Sequence, residues 1–171
     1  MTISNTATLT SELDLPAYLF GIAMLLVVMF VHGFSLLQIA KRYEVKSFLY
    51  LSEHKYSSVS FVFYVSVLYL FLIHIFEIIL WGTALRAFNL LPNLGESILF
   101  SGSTYTAMGF MDDLLPSGWK MLAIIIALSG MFAFAWTASV MISMTKNFRQ
   151  AYTRSHMQKL KLPSEVIERF K

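Results

Sequence analysis

Residues 104–112 read Thr104-Tyr105-Thr106-Ala107-Met108-Gly109-Phe110-Met111-Asp112, a short polar run bearing one glycine between two long apolar segments. Backbone that is neither helix nor closed sheet is tolerated at membrane depth only where protein or a water-filled path surrounds it. The flanks of 104–112 therefore decide the fold.

Those flanks read as membrane spans. With 57% hydrophobic and 13% charged residues and a mean hydropathy of +0.64, the chain is too apolar for a water-soluble domain of this length. Segment 15–40 has no Asp, Glu, Lys or Arg over 26 residues, and 121–145 has none over 25. In the 30 residues of 56–85, only His74 and Glu77 interrupt the pattern. Each segment exceeds the roughly 20 residues that cross about 30 Å of hydrocarbon as a helix. The first is longer than a signal-peptide core, and residues 1–14 contain no Lys or Arg, so it reads as a retained helix. The lack of cysteine excludes disulfides and thiolate metal sites.

Charge placement predicts the topology. Four of thirteen Lys and Arg residues (Lys41, Arg42, Lys46, Lys55) lie between the first two spans. Seven more follow the third, leaving Arg86 and Lys120 in the connection that holds residues 104–112. By the positive-inside rule, the linker 41–57 and the tail 146–171 face the cytoplasm, and residues 1–14 and the 86–120 connection face outward. The expected setting is a multi-pass protein of the plasma (inner) membrane.

The 86–120 connection contains a helix that is too short to span. Pro92, Asn93 and Glu96 offer helix-start chemistry ahead of the small and apolar residues 94–106. A helix of about twelve residues is only about 18 Å long. It can enter the membrane and return, which makes 94–112 a re-entrant loop.

The order outer helix, short helix, T-x-x-G-x-x-D segment and inner helix resembles the pore domain of the potassium-channel superfamily. The run H-x-x-E-x-x-x-W at His74, Glu77 and Trp81, then S-T-Y-T, G-F, L-P-S-G-W and a glycine in the last helix, is similar to small bacterial three-span potassium-channel-like proteins. This resemblance covers about residues 60–145. It implies an all-α membrane protein in which 58–145 is a pore domain: outer helix 58–85, pore helix 94–106, filter 106–112 and inner helix 119–145. One pore loop per chain implies a homotetramer around a single axis, and the implied activity is passive conduction of K+ or Na+ over backbone carbonyls.

On this resemblance Thr106 precedes the filter, Ala107, Met108, Gly109, Phe110 and Met111 occupy its five positions, and Asp112 and Asp113 form an acidic outer mouth. Met108 matches an apolar buttress, Gly109 the first glycine and Phe110 the aromatic. Ala107 replaces a threonine whose hydroxyl would complete the innermost ion site, and Met111 replaces the second glycine. If position 111 needs positive φ, a side chain there costs about 1–2 kcal/mol per subunit. The expectation is a reshaped outer mouth with weakened potassium selectivity or general monovalent-cation permeation.

His74 and Glu77 are three apart, hence on one helix face, and ionisable groups inside a span face protein or water. They read as a polar contact holding the outer helix to the pore helix, as a proton-sensitive gate, or as a satisfied pair that packs the bundle. His32, alone in the first span, reads as a helix–helix hydrogen-bond donor. Gly130 reads as an inner-helix hinge or a close packing point, Trp81 and Trp119 as an aromatic belt, and Met141 and Met144 as an apolar constriction or lipid contacts. Aromatics and mixed charge at 43–56 suggest an interfacial helix, and the tail suggests an amphipathic helix broken near Pro163.

No span carries regularly spaced arginines, no nucleophile, phosphate-loop or metal-spacing signature is present, and no enzymatic activity, cofactor or nucleic-acid partner is expected. The partners expected are the lipid bilayer and further copies of the chain. Two alternatives remain: a non-conducting scaffold or accessory subunit, favoured by Met111, and a bis-histidine haem protein using His32 and His74.

Overall fold

A computed structural model describes residues 15–109 and 114–159, and all regular structure among them is helical. The elements are α1 (Leu15–Ser52), α2 (Tyr56–Ala87), α3 (Leu94–Tyr105), a 3₁₀ turn at Ser117–Trp119 and α4 (Met121–Lys159). Helices α1, α2 and α4 are each long and apolar enough to cross a membrane, whereas α3, with 12 residues, is not. An all-α membrane protein with three spans and one short intervening helix is the architecture expected from the sequence.

Two boundaries differ from expectation. Residues 41–52, read as part of a separate interfacial element, continue α1 without a break. No Gly or Pro lies between Gly33 and Ser52, so nothing interrupts the hydrogen-bond ladder where the apolar run ends. Likewise α4 continues past 145 to Lys159, absorbing the first half of the tail. Pro163, the expected break, lies outside the described residues, as do residues 1–14.

Three helices end in the same way. At the C-termini of α1, α2 and α3, one residue takes positive φ: His54 (59°), Asn89 (53°) and Ala107 (57°). In each case that residue and the next return their N–H groups to the last helical turn. The pairs are His54 to Leu51 and Lys55 to Tyr50, Asn89 to Arg86 and Leu90 to Leu85, and Ala107 to Thr104 and Met108 to Ser103. These are Schellman caps, in which glycine usually fills the left-handed position. Asn89 is supported there by Arg86, which donates to its Oδ1 at 2.6 Å. Ala107 has no polar side chain to do the same.

The chain divides into two compact units. Among the described residues, the first comprises residues 15–34 and those described within Leu72–Ala135, and its core gathers Val28, Trp81, Leu85, Phe100, Leu122 and Ile126. Glycines allow its helices to approach closely: a Cβ on Gly82 would lie 2.8 Å from Ile98 Cα, fixing the α2–α3 crossing. Trp81, expected in an outer belt, is instead fully buried and donates its indole N–H to Ser129 Oγ at 3.1 Å. A buried indole needs such a partner, and a serine on α4 supplies it.

The second unit holds Ser35–Phe71 and residues 136–159. Leu36, Tyr43, Leu70 and Met144 form its core, Phe63 stacks on Phe148 at 4.6 Å, and Tyr43 donates to the Met144 carbonyl at 2.9 Å. Met144, expected at an apolar constriction or facing lipid, is therefore buried within the chain, while Met141 is exposed.

Candidate functional site

Helix α3 begins where the sequence placed it. Asn93 has extended backbone, and its side chain accepts the Glu96 N–H at 2.8 Å, while Ser97 Oγ donates to the Asn93 carbonyl at 2.8 Å. Glu96, in the first turn, also complements the positive end of the helix dipole. At the other end, Thr106 folds its hydroxyl back onto the Gly102 carbonyl at 2.7 Å, and the Schellman cap at Ala107 turns the chain.

Residues 106–109 are exposed on the single chain. Met108, assigned as an apolar buttress, is 69% exposed. Positive φ falls at Ala107 and Gly109. Met111, where a side chain was expected to strain the backbone, lies with Phe110, Asp112 and Asp113 outside the described residues.

Immediately before this turn, Tyr105 is fully buried. Its hydroxyl donates to Glu77 Oε2 at 2.5 Å. With that hydrogen committed, the contact from His74 Nδ1 at 2.9 Å has the imidazole N–H donating to the phenol oxygen. Glu77 Oε1 takes a second donor, His32 Nδ1, at 2.7 Å. Helices α1, α2 and α3 thus meet in one buried cluster: His32, Glu77, Tyr105 and His74. His74 and Glu77 share a face of α2 as expected, and His32 is the helix–helix donor anticipated, but the two α2 side chains are joined through Tyr105.

Helix α4 closes the cluster. Phe134 stacks on the His74 ring with centroids 4.4 Å apart and meets Tyr105 edge-on at 5.6 Å. Gly130 lies against the Tyr105 backbone, where a Cβ would come 1.9 Å from the carbonyl oxygen. Of the two roles read for Gly130, close packing has this contact behind it, and α4 runs through the position as unbroken helix.

Chemically, the cluster can hold a proton or a small cation. The ligand atoms of His32, His74 and Glu77 all lie within 4.8 Å of one another. The imidazole centroids are 5.3 Å apart, and both rings direct Nδ1 to the same Glu77–Tyr105 pair. A bis-histidine haem needs its rings on opposite faces of a porphyrin, a geometry these contacts do not provide.

Comparison with known proteins bears on the same region. Residues 67–147 match the model of a family described as "ion channel". This segment resembles an ion channel. The channel-like segment is a little under half of the chain; it contains most of α2, all of α3, the 104–109 turn and the larger part of α4, and it points to a transport role rather than an enzymatic one. Helix α1, and with it His32, lies outside the match. No curated protein and no solved structure matches the chain.

Sequence reasoning missed Tyr105 and the reach of His32. Tyr105 stood inside the S-T-Y-T motif, and the only signal for it was an aromatic with a polar tip at the end of a short helix. His32 is 45 residues from Glu77, and neither spacing nor periodicity links them.

Proposed function

We propose that the chain is one subunit of a passive cation channel in which four copies surround a common axis and residues 106–111 line the narrowest passage. The observation that carries this reading is α3: a capped helix too short to span, packed on α2 and α4, ending in an exposed turn within the channel-like segment. Its C-terminal end aims partial negative charge toward that turn, which favours a cation there. Thr106, Ala107, Met108, Gly109, Phe110 and Met111 are the proposed filter, and Asp112 and Asp113 the proposed outer mouth. K+ or Na+ would lose water to backbone carbonyls and leave by displacement from the next ion.

The left-handed Ala107 favours altered selectivity. Its N–H and that of Met108 are engaged with the end of α3, so the inner end of the proposed filter is a folded-back cap, and Ala107 offers no hydroxyl ligand. Discrimination for K+ over Na+ is therefore weak in this reading. The same observation favours a second one, a non-conducting scaffold or accessory subunit. The proposed setting is the inner membrane, with the N-terminus outside and the basic tail in the cytoplasm, in keeping with the distribution of Lys and Arg.

Cation flux through proteoliposomes tests both readings. Monovalent flux with a reversal potential well short of the potassium equilibrium value supports the channel, and a reversal potential at that value overturns the weak selectivity. No flux from wild type, with flux appearing in Met111→Gly, supports the scaffold.

A further inference from the structure

The buried cluster behind the turn has a property that neither a proton gate nor a packing contact requires: its donors are those of a metal site. Three helices bring two imidazole Nδ1 atoms, one carboxylate and one phenol into one hydrogen-bonded cluster. His32, Glu77 and Tyr105 are fully buried and His74 is 6% exposed. The ligand atoms of His32, His74 and Glu77 fall within 4.8 Å of one another, and the Tyr105 oxygen is 2.5 Å from Glu77 Oε2 and 2.9 Å from His74 Nδ1. We infer that His32, His74, Glu77 and Tyr105 form a binding site for a divalent transition-metal ion of the Zn2+ class, tying α1 and α2 to the C-terminal end of α3.

Geometry, charge and ligand type each support this. Metal–nitrogen and metal–oxygen bonds of about 2.0–2.2 Å place tetrahedral ligands roughly 3.3 Å apart. The hydrogen-bonded atoms stand 2.5–2.9 Å apart and the ligand atoms of His32, His74 and Glu77 within 4.8 Å of one another, distances that bracket the tetrahedral spacing, so side-chain shifts on the order of 1 Å admit the ion. On metal entry each imidazole carries its hydrogen on Nε2 in place of Nδ1, Glu77 binds as the carboxylate, and the Tyr105 phenol proton leaves as H+. One dication, one carboxylate and one phenolate then sum to zero charge. A neutral complex is what an apolar interior accepts most cheaply, since an isolated buried charge is costly in a membrane. Two imidazoles with one carboxylate suit Zn2+ or Fe2+. Mg2+ and Ca2+ demand six or more oxygens and are disfavoured by this set.

The ion would stand one residue from the turn, with Phe134 stacked on one of its ligands. Occupancy would cross-link the first helix, which the ion-channel match does not include, to the element that ends in the proposed filter. The inference does not depend on conduction: metal binding and ion flux are separate measurements, so either can fail alone.

The test uses the full chain, purified in detergent without chelator and with any histidine tag removed. After chelator treatment, Co2+ is added as a spectroscopic probe and followed by visible absorption. The chain has four histidines, and of these His54 and His156 are outside the cluster, so a His54→Ala/His156→Ala variant is measured beside wild type. Expected are the intense bands of four-coordinate Co2+ at one ion per chain in both proteins, displacement by one equivalent of Zn2+, and a Zn2+-dependent rise in the unfolding midpoint. His32→Gln and Glu77→Gln should lose the bands while eluting as wild type on size exclusion. If either variant fails to fold, the wild-type spectrum and stoichiometry still decide. Absence of the bands in wild type, or their loss in the His54→Ala/His156→Ala variant, overturns the inference and leaves a hydrogen-bonded cluster only.

Discussion

The two compact units share α1, α2 and α4 but are held by different chemistry. In the unit containing Leu72–Ala135, glycines bring backbones together and a buried polar cluster joins three helices. In the unit containing Ser35–Phe71, aromatic and aliphatic packing joins the helices around Leu36, Leu70 and Met144, and Tyr43 donates to the Met144 carbonyl. Lipid is as apolar as leucine, so apolar contact alone specifies little between membrane helices, while close backbone approach and polar contacts specify much. The first unit is therefore the one whose geometry is tightly prescribed, and it contains α3.

Substitutions should expose that contrast, and the largest effect belongs to the cluster. Glu77→Ala leaves His32 and Tyr105 buried without their shared acceptor, and a loss of about 3–5 kcal/mol is expected, measured as a collapse of the thermal unfolding midpoint in detergent. Gly130→Ala drives a methyl into the Tyr105 carbonyl; overpacking of this kind costs about 1–3 kcal/mol, and a crystal or cryo-EM structure of the variant should show α3 and α4 moved apart. If Gly130→Ala is neutral, the first unit is looser than its contacts imply.

Smaller effects follow at the turn and in the second unit. Ala107→Gly removes a side chain from a left-handed position and should stabilise by about 1 kcal/mol, whereas Ala107→Thr, β-branched at positive φ, should destabilise. Comparing their unfolding midpoints tests the cap directly, because an extended backbone at 107 predicts the opposite order. Tyr43→Phe should cost least, about 0.6 kcal/mol, the typical value for a hydrogen bond between membrane helices. A loss there as large as that from Glu77→Ala would erase the distinction between the units.

What could be read in advance followed local rules. The start of α3 was legible because Pro92, Asn93 and Glu96 act within four residues of one another, and the shared face of His74 and Glu77 because three residues make nearly one turn. The ends of α1 and α4 were not, since apolarity stops at the membrane edge while helical hydrogen bonding continues through Lys41–Ser52 and Lys146–Lys159. Trp81 was misplaced because its partner, Ser129, is 48 residues away. Positive φ was sought at Met111 by analogy with a filter glycine, yet among the described residues the strained non-glycine position in this loop is Ala107, which owes its conformation to the end of a helix. The Tyr105 cluster is assembled entirely from long-range contacts, which no single-sequence pattern encodes.

The link between α1 and α2 has a consequence in time as well as in space. Only Glu53, His54 and Lys55 separate the two helices, and the turn is closed by its own backbone bonds and by the 2.8 Å Lys55–Glu53 pair. So short a connection closes quickly and makes the flanking helices neighbours as soon as both have been synthesised. Tyr105 leaves the ribosome roughly fifty residues after that link. His32 and Glu77 therefore sit on two helices that the short link makes neighbours, while Tyr105, which joins them at the cluster, is supplied by the later half of the chain.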